Sequence, residues 1–475
     1  MDRPRSSRAR IPSAKTLGLT RPRAQDDLND LGWNTEEHVG LLRTLGAAGN
    51  PDLALNNLVR LVEALRERED NDQLAAVSSL PSVGKDVPFA DATADTLMAA
   101  LKDDAELRRR VISLFGASSL LGDHIVAHPE EWVSLSLPLP TAGEMTDTML
   151  DSVGAVRVDE VLAMDEFAEF KDDNGEKAVE PAGEKSRTYR ARTIGHEADV
   201  AMRDAYRTLL ARIASIDCNG TFIVNRDDEP DRLPFVTLGQ RLADAADAAL
   251  TAALAVACTS VYGGPDDEDR KPPARLAVLA MGKCGARELN YISDVDVIFV
   301  AEPADSRATR WAGEFINIGT RVFFEVDAAL RPEGKQGALV RTLSSHKKYY
   351  DRWASTWEFQ ALLKARAMTG DVALGEKYVE TLAPLVWSAS EREDFVSDVQ
   401  AMRRRVIENV PDSIRARELK LGPGGLRDVE FAVQLLQMVH GRTDESLRVR
   451  PTVAALKALM KEGYVGRDDG QKLIA

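Results

Sequence analysis

Apolar residues recur every three or four positions along most of the chain, a spacing that is typical of helices burying one face. The spacing predicts helices over Glu36–Leu45 and Asp52–Arg68, and a group of helices over Ala92–His128. Similar patterns follow over Tyr189–Asp217 and, in an alanine-rich stretch, over Leu238–Val261. The first half of the chain is therefore predicted to be mostly helical.

The pattern changes at Ala277–Val300, which reads AVLAMGKCGARELNYISDVDVIFV. An apolar run is followed by a loop with Gly282 and Gly285, and then by two aspartates that lead into a second apolar run. Short apolar runs of this kind are typical of buried strands. Because side chains two apart in a strand point to the same face, Asp294 and Asp296 are predicted to project together.

A further helix and two further strands are predicted before the chain returns to helices. Ala308–Phe324 has helical spacing, Phe324–Leu330 is predicted to be a strand that carries Asp327, and Ala338–Thr342 is predicted to be another strand. From Ser345 onward the pattern is helical again. We therefore predict an α+β fold in which a small sheet is embedded in a mostly helical chain.

Several segments carry too few apolar residues to contribute to a core. The arginine-rich start, residues 1–23, lacks the amphipathic period of a transit peptide and is predicted to be a disordered tail. Residues 171–185 are predicted to form an exposed excursion, and residues 218–234 a second polar insert. These segments interrupt the helical region without adding to its core.

Composition narrows the class of protein. The net charge of -15 argues against a protein that follows nucleic acid without sequence preference, because such proteins need an excess of Lys and Arg. Cys218, Cys258 and Cys284 are too few and too scattered for a disulfide framework or a zinc site, as expected in a reducing compartment. No apolar run approaches the length of a membrane span. We therefore predict a cytoplasmic protein that binds neither nucleic acid nor membranes.

Asp294, Asp296 and Asp327 are the candidate metal ligands. One helix between their strands is enough to bring Asp327 alongside the other two. Mg²⁺ prefers oxygen ligands and keeps some of its waters, so three carboxylates and a substrate phosphate suffice to hold it. Transfer of a nucleotidyl group uses such ions to neutralise phosphates and to align the reacting oxygens. The three aspartates therefore predict a magnesium site for nucleotidyl transfer.

The glycine loop before the aspartates is the candidate phosphate site. Gly282 and Gly285 let backbone amides approach a phosphate closely, and Lys283 adds a positive charge. An Asp-x-Asp pair alone is often a solvated turn, and a Gly-x-x-Gly loop alone is a weak signal. Together, the order of strand, glycine loop, Ser-Asp-x-Asp, helix and strand with aspartate is specific. This order resembles the DNA polymerase β type nucleotidyltransferase superfamily.

Longer stretches narrow the resemblance. The stretches GKCGARELNYISDVDVIFV, VDAALRPEGKQGALV, YYDRWASTWEFQALLKARAMTGD and GPGGLRDVEF look like the catalytic unit of the bifunctional glutamine synthetase adenylyltransferase/adenylyl-removing enzymes. The match is strong over Arg275–Gly441. Members of that family carry two such units, of which the N-terminal one removes AMP from a tyrosine of glutamine synthetase by phosphorolysis and the C-terminal one attaches it from ATP. The helical lead-in and the stretch LRDVEF resemble the removing unit.

The resemblance implies roles for individual residues. The three aspartates would be catalytic and would bind two Mg²⁺ ions. A set of loop and cationic residues would contact the nucleotide or phosphate: Gly282, Lys283, Ser293, Arg331, Lys364 and Arg366. Arg331 is included because many relatives have an arginine where this chain has Ala329. Lys364 and Arg366, two apart on a predicted helix, do not share a face, so one could reach phosphate while the other pairs with an acid such as Glu358.

Other polar and aromatic residues near these stretches are expected to be structural. Glu288 is expected to cap a turn, and His346, which stands beside two lysines, is expected to be solvated. Trp353 and Trp357, four apart on one predicted helix face, are expected to pack in the core. The glycines before Arg427 begin a helix whose free amides either attract an anion or are simply capped.

The resemblance also implies an organisation and a function. We expect a disordered basic tail over 1–30, a helical lead-in with polar inserts over 31–270, and a nucleotidyltransferase core with a small mixed sheet over 271–370. Residues 371–475 would be a helical region, the start of a linker domain that the chain does not complete. The implied activity is removal of AMP from glutamine synthetase, giving ADP, with a PII-type nitrogen signalling protein as a further partner. Transfer of AMP from ATP, or a non-catalytic nucleotide-sensing scaffold, are the alternatives.

Overall fold

The protein is described from a computed structural model, which describes residues 10–71, 73, 91–158, 186–219, 233–271 and 273–474. The chain forms two compact units. Unit 1 comprises Met1–Ser152 and Val200–Ala245, and unit 2 comprises Val153–Asp199 and Ala246–Ala475. Two of these boundaries fall inside long helices, so the division differs from the ranges expected from sequence patterns, which remain predictions. The excursion expected at 171–185 and most of the insert expected at 218–234 lie outside the described residues.

Unit 1 is helical, as its apolar spacing predicts. The patterns over 36–45 and 52–68 correspond to one helix each, and the pattern over 92–128 to three. The helices are α1 (Ala24–Asp30), α2 (Val39–Gly46), α3 (Pro51–Asp70), α4 (Ala94–Asp103), α5 (Ala105–Ala117), α6 (Ser119–Ala127) and α7 (Ala142–Asp151), followed by α8 (Gly195–Asn219) and α9 (Phe235–Tyr262), each of which contributes residues to both units.

Short polar side chains fix several helix starts in unit 1. The Asn50 side chain accepts a hydrogen bond from the Leu53 amide at 3.0 Å, and Pro51 occupies the first turn of α3. Thr141 and Glu144 form a capping box at the start of α7. These contacts satisfy amides that the first turn leaves without helical partners, so the helices begin at defined residues.

Residues 10–30 pack against the rest of unit 1. Leu17 and Leu19 are buried, and Ala24 and Leu28 of α1 pack into the core of unit 1. The disordered tail expected over 1–30 is therefore wrong for residues 10–30, because a few well-spaced apolar side chains are enough to dock the segment despite its arginines. Residues 1–9 lie outside the described residues.

Unit 2 contains a mixed sheet, which confirms the α+β prediction. The strands in the described residues are β1 (Val156–Arg157), β2 (Ser186–Arg187), β3 (Tyr189–Arg190), β4 (Arg275–Ala280), β5 (Val295–Glu302), β6 (Val326–Asp327), β7 (Val340–Arg341) and β8 (Arg366–Asp371). Six of them form one sheet in the order β2-β8-β4-β5-β6, with β7 also paired to β5, while β1 and β3 pair with each other. β4 is antiparallel to β5 and β8, and β6 and β7 run parallel to β5.

The two central strands are buried on both faces, which explains their unbroken apolar sequences. On one face Phe299 of β5 packs edge to face on Phe315, with ring centroids 5.7 Å apart. On the other face Ile298 and Val300 belong to a core cluster with Tyr378. The helices of unit 2 after β4 are α10 (Gly282–Gly285), α11 (Ser306–Val322), α12 (Leu343–Arg352), α13 (Thr356–Leu362), α14 (Val372–Ser388), α15 (Phe395–Glu408), α16 (Leu426–His440), α17 (Thr452–Lys461) and α18 (Arg467–Ile474).

Strand β8 replaces part of a predicted helix. Its neighbourhood, KARAMTGD, is rich in good helix formers. Tertiary contacts override that preference, because β8 pairs with β4. Gly370 lies so close to the backbone of β4 that a Cβ added to it would be 2.1 Å from the Leu276 carbonyl oxygen. The prediction that Lys364 and Arg366 lie on a helix is wrong: Lys364 lies in the preceding turn and Arg366 begins the strand.

Helix α9 is long and apolar enough to cross a membrane by length and composition alone. However, 94% of its most apolar window is buried within the protein. Along its apolar stripe Leu242, Ala246, Leu250 and Leu254 are buried, and Val261 is partly exposed. Such burial is typical of a core helix.

His346 is buried, contrary to the expectation that it is solvated. Its side chain is 1% exposed, and its ring meets that of Tyr378 edge to face with centroids 5.1 Å apart. Its Nε2 lies 3.3 Å from the Phe299 carbonyl oxygen, and Nδ1 has no partner. The pKa of His346 is lowered to about 4, chiefly by burial; the hydrogen bond with the Phe299 carbonyl partly opposes this effect, and the nearby Arg341 charge adds a smaller lowering.

This burial predicts a pH-dependent stability. In the unfolded chain a histidine has a pKa of about 6.5, so between that value and about 4 the unfolded state binds more protons. The His346 contribution is therefore complete above about pH 6.5 and is lost as pH falls towards 4, by up to about 3 kcal/mol. We expect the melting temperature of His346→Gln to fall less steeply between pH 7.5 and 5 than that of the unmodified chain. An exposed-histidine control, His196→Gln, should keep the original slope, and an equal slope in His346→Gln would contradict the assignment.

Candidate active site

The glycine loop is built around a close contact with one aspartate. Gly282 has a φ of +53°, and a Cβ added there would lie 2.5 Å from Oδ2 of Asp296. The Met281 amide donates to the Asp296 backbone oxygen at 2.9 Å, which fixes the loop on β5. A Cβ at Gly285 would lie 2.1 Å from the Lys364 carbonyl oxygen. Glycine is therefore needed at both positions because any side chain would collide with the backbone or with the carboxylate.

The three predicted aspartates meet at one edge of the sheet. Asp296 on β5 and Asp327 on β6 are register partners in the parallel pair, and Asp294 immediately precedes β5. Burial, together with the negative charges of Asp294 and Asp327, raises the pKa of Asp296 to about 6. The Ala329 amide donates to Oδ1 of Asp327 at 2.8 Å and orients that carboxylate.

These carboxylates fit a divalent cation. The negative charges of Asp294 and Asp327 raise the pKa of Asp296, which shows that the three carboxylates repel one another. A bound cation would relieve this repulsion. The missing Cβ of Gly282 keeps the space beside Asp296 open. Asp294, Asp296 and Asp327 therefore have the chemistry that Mg²⁺ prefers.

A cavity of about 310 Å³ opens beside two of the aspartates. It combines acidic, basic and apolar walls, as expected of a site that orients a charged group while enclosing an apolar one. The lining residues are Gly282, Lys283, Ser293, Asp294, Asp296, Leu330, Trp357, Gln360, Ala361, Lys364, Met402, Val406, Lys420, Arg427, Glu430, Phe431 and Gln434.

Two basic lining residues lie outside the phosphate-binding set predicted from the sequence: Lys420 is in the loop before α16, and Arg427 is in the first turn of that helix. Lys420 and Arg427 lower the pKa of Asp296 by their charge, against the larger effects that raise it. The Arg427 amide donates to the Lys420 carbonyl oxygen at 2.9 Å, which holds the two residues side by side. Arg403 braces this loop by donating to the carbonyl oxygens of Leu421 at 3.0 Å and Gly422 at 2.9 Å. The glycine-rich stretch before Arg427 was the available signal, since tight turns allow a loop to return to the sheet.

Lysines on the cavity wall differ in their surroundings. Burial and the nearby Lys420 charge lower the pKa of Lys283, which lies in the glycine loop. Lys364 is 4% exposed, and its Nζ forms ion pairs with Glu288, at 3.3 Å, and with Glu430. Lys364 therefore lines the cavity with its charge already paired, to Glu288 and Glu430 rather than to Glu358.

Glu288 joins the glycine loop to α17. It accepts hydrogen bonds from the Thr452 amide at 2.6 Å and the Thr452 hydroxyl at 3.0 Å. This structural role agrees with the turn-capping role expected from the sequence, although the capped element is distant in the chain.

Arg331 and Arg366 do not line the cavity. Arg331 donates to the carbonyl oxygens of Ala328 at 2.7 Å, Lys335 at 3.1 Å and Gly337 at 3.1 Å, so it holds together the loop after β6. The predicted binding of phosphate by Arg331 stays a prediction, and none of these contacts supports it. Ser293, in contrast, lies on the cavity wall beside Asp294.

Arg366 positions the glycine loop. Its guanidinium binds both carboxylate oxygens of Asp247, at 2.7 and 2.9 Å, and donates to the Cys284 carbonyl oxygen at 3.0 Å. A planar fork that matches a carboxylate fixes orientation as well as distance. The structure therefore favours a supporting role for Arg366 over the direct phosphate contact expected from the sequence.

Replacing Arg366 by lysine is expected to destabilise unit 2 by about 1–3 kcal/mol, because an ammonium group lacks the fork that binds Asp247 and the loop together. Thermal unfolding measures the loss. The control Arg352→Lys changes an exposed arginine at the end of α12 and should leave the melting temperature unchanged. Equal melting temperatures of Arg366→Lys and the control would contradict the role.

The tryptophans are arranged differently from the prediction. Trp353 follows α12 and is 74% exposed, whereas Trp357 belongs to α13 and lines the cavity. The break at Ala354 and Ser355 separates them, so they do not share a helix face. The expectation that both pack in the core is wrong, and Trp357 instead offers an aromatic wall to whatever the cavity holds.

Two separate stretches of the chain match known protein families. Residues 164–381, which include the glycine loop and all three aspartates, match the family described as glutamate-ammonia ligase adenylyltransferase. Residues 400–475 match the family described as GlnD PII-uridylyltransferase. The first match covers the six-stranded sheet, and the second covers α16 to α18.

Curated relatives match almost the whole chain. It is 52% identical over 98% of its length to the bifunctional glutamine synthetase adenylyltransferase/adenylyl-removing enzyme of Corynebacterium glutamicum, of which it covers 41%. The identity is 49% with the Nocardia farcinica relative of the same name, and 47% with that of Mycobacterium tuberculosis. The chain thus spans about two fifths of the length of these relatives, 42% and 41% for the last two. Over almost its whole length the chain is therefore similar to part of the bifunctional glutamine synthetase adenylyltransferase/adenylyl-removing enzymes.

Proposed function

We propose that the chain removes AMP from the adenylylated tyrosine of glutamine synthetase by phosphorolysis. The observation that carries the proposal is that one cavity joins Asp294 and Asp296 to the glycine loop and to the basic side chains of Lys420 and Arg427. In general terms, the chain would regulate glutamine synthetase through its adenylylation state, as the names of its relatives indicate.

The walls of the cavity suit the parts of an adenylyl group and a phosphate. Trp357, Phe431 and Leu330 offer an apolar surface for an adenine ring. Lys283 and Arg427 offer positive charge to the phosphate that attacks. Asp294, Asp296 and Asp327 would hold Mg²⁺, which neutralises negative charge on the group being transferred.

The proposed reaction is a single in-line displacement. An oxygen of inorganic phosphate forms a bond to the AMP phosphorus as the bond from that phosphorus to the tyrosine oxygen breaks. The proton of the attacking phosphate ends on the tyrosine oxygen, and the products are ADP and the unmodified tyrosine. The cationic side chains of the cavity hold phosphate beside the aspartates, where two anions would otherwise repel each other.

The direction of the reaction is supported by sequence resemblance. The helical lead-in and the stretch LRDVEF in α16 look like the removing unit of the family. We also propose a cytoplasmic location and a PII-type signalling partner, the latter because residues 400–475 match a family named for a PII-modifying enzyme.

The experiment uses glutamine synthetase adenylylated with labelled AMP, incubated with this chain and Mg²⁺. We expect labelled ADP to form when phosphate is present and no label to be released when phosphate is left out. Release of the label as AMP would indicate hydrolysis and contradict the proposed reaction. A chain that releases no label under either condition, although it is folded, would also contradict it.

The reverse direction uses the same cavity and needs its own measurement. Incubation with labelled ATP and unmodified glutamine synthetase should transfer little or no label if the chain is the removing unit. Label transfer that is faster than ADP formation in the first experiment would reverse the assignment.

A further inference from the structure

A second group of metal-ligating side chains lies in unit 1, away from any residue used above. His124 lies on α6, His128 follows its last turn, and Asp204 lies on α8. One ligating atom from each of the three lies within 4.8 Å of the other two. The spacing His-x-x-x-His places both rings on one side of α6, and the ring centroids are 4.9 Å apart.

The separation between His128 and Asp204 suits a shared ion better than a direct contact. His128 Nε2 and Asp204 Oδ2 are 3.7 Å apart, which is too long for a hydrogen bond. Two ligands on one tetrahedral zinc ion stand about 3.3–3.5 Å apart, since each bond is about 2.0–2.2 Å long. A small inward movement would therefore let both groups bind the same ion.

His124 is held by a neighbouring carboxylate, as metal-ligating histidines commonly are. It is 3% exposed, and its Nε2 faces the Glu131 carboxylate at 3.2 Å and the Thr208 hydroxyl at 2.9 Å. The Thr208 hydroxyl also lies against the Glu131 carboxylate and is 3.0 Å from the Asp204 carbonyl oxygen, so a carboxylate and a hydroxyl together hold Nε2. A carboxylate that holds one ring nitrogen leaves the other nitrogen available as a ligand, as around many protein-bound metals.

We propose that His124, His128 and Asp204 bind one transition-metal ion of the zinc class, with Glu131 and Thr208 positioning His124. Two imidazoles and one carboxylate are the ligand set of zinc, whereas Mg²⁺ prefers sites made of oxygen alone. His128 and Asp204 are partly exposed, so the ion has a route in and room for a water as fourth ligand. Because α6 and α8 are far apart in the chain, the ion would fasten these two helices of unit 1 together.

The test is metal binding by the purified full chain in excess Mg²⁺, which is added to fill the proposed aspartate site. Zn²⁺ is titrated against a chromophoric chelator, and Co²⁺ is added to a second sample to report tetrahedral coordination by its visible spectrum. We expect one Zn²⁺ per chain and a rise in melting temperature on binding. His128→Gln and Asp204→Asn should each weaken binding by at least tenfold, and His196→Gln, an exposed histidine on α8, should leave it unchanged.

The same titration of Asp294→Asn/Asp296→Asn separates the two sites, because that variant should bind Zn²⁺ as tightly as the unmodified chain. No Zn²⁺ binding in excess Mg²⁺ would overturn the proposal. Equal binding by His128→Gln and Asp204→Asn would also overturn it. These outcomes do not depend on whether the chain removes AMP, since no activity is measured.

Discussion

Replacing Asp294 and Asp296 together by asparagine is expected to lower the rate of AMP removal by about 10³-fold or more. Asparagine keeps the shape of each side chain but removes two of the three negative charges that would hold Mg²⁺. Losing even one group that stabilises developing charge commonly costs 10²–10³-fold, and a metal site stabilises more charge than one hydrogen bond. The measurement is the initial rate of ADP formation at saturating phosphate.

The melting temperature of this variant distinguishes loss of the metal site from unfolding of the protein. Because Asp294 and Asp327 raise the pKa of Asp296, removing two of these charges relieves repulsion, and the melting temperature should not fall. The control Asp351→Asn changes an exposed aspartate on α12 and should keep the normal rate. If the double variant removed AMP as fast as this control, Asp294 and Asp296 would have no part in the reaction.

Replacing Gly282 by alanine is expected to lower the rate by about 10²-fold. The new Cβ would lie 2.5 Å from Oδ2 of Asp296, and the φ of +53° is one that alanine rarely adopts. Either the carboxylate or the glycine loop must move, and a shift of about 1 Å at reacting groups costs on the order of 10² in rate. The loss should appear in kcat, with the fold retained as judged by circular dichroism.

Gly313→Ala is the matched control for this substitution. Gly313 lies within α11 of the same unit, and a Cβ added there meets nothing within 4 Å. Alanine is a better helix former than glycine, so this control should raise stability slightly and leave the rate unchanged. If Gly282→Ala kept the normal kcat, the close approach of the loop to Asp296 would have no part in catalysis.

The central part of the fold was predictable from local sequence. The apolar runs of β4 and β5 are long and uninterrupted, and the glycines and aspartates between them have distinct conformational and chemical preferences. Strand β8 was missed because Lys, Ala, Arg and Met favour helices, whereas its actual conformation depends on pairing with β4. Pairing between residues far apart in the chain leaves little trace in the sequence of either partner.

The site was predictable in its acidic half and less so in its basic half. Asp296 and Asp327 lie on paired strands and Asp294 immediately precedes β5, so their meeting follows from strand order. Lys420 lies in a loop whose position depends on Arg403, and no periodic pattern reports such a contact. Arg366 was predicted to bind phosphate because of its positive charge. The sequence does not show that this charge is paired with Asp247, which lies on a helix far away in the chain.

The function proposed for the cavity depends on Asp294, Asp296 and Asp327 binding a divalent cation. Mn²⁺ titration followed by electron paramagnetic resonance measures this directly, in the His128→Gln background so that the histidine cluster does not contribute. We predict saturable Mn²⁺ binding that Mg²⁺ displaces and that Asp294→Asn/Asp296→Asn weakens by at least tenfold. Mn²⁺ binding of equal strength with and without the two carboxylates would contradict the assignment of the metal site.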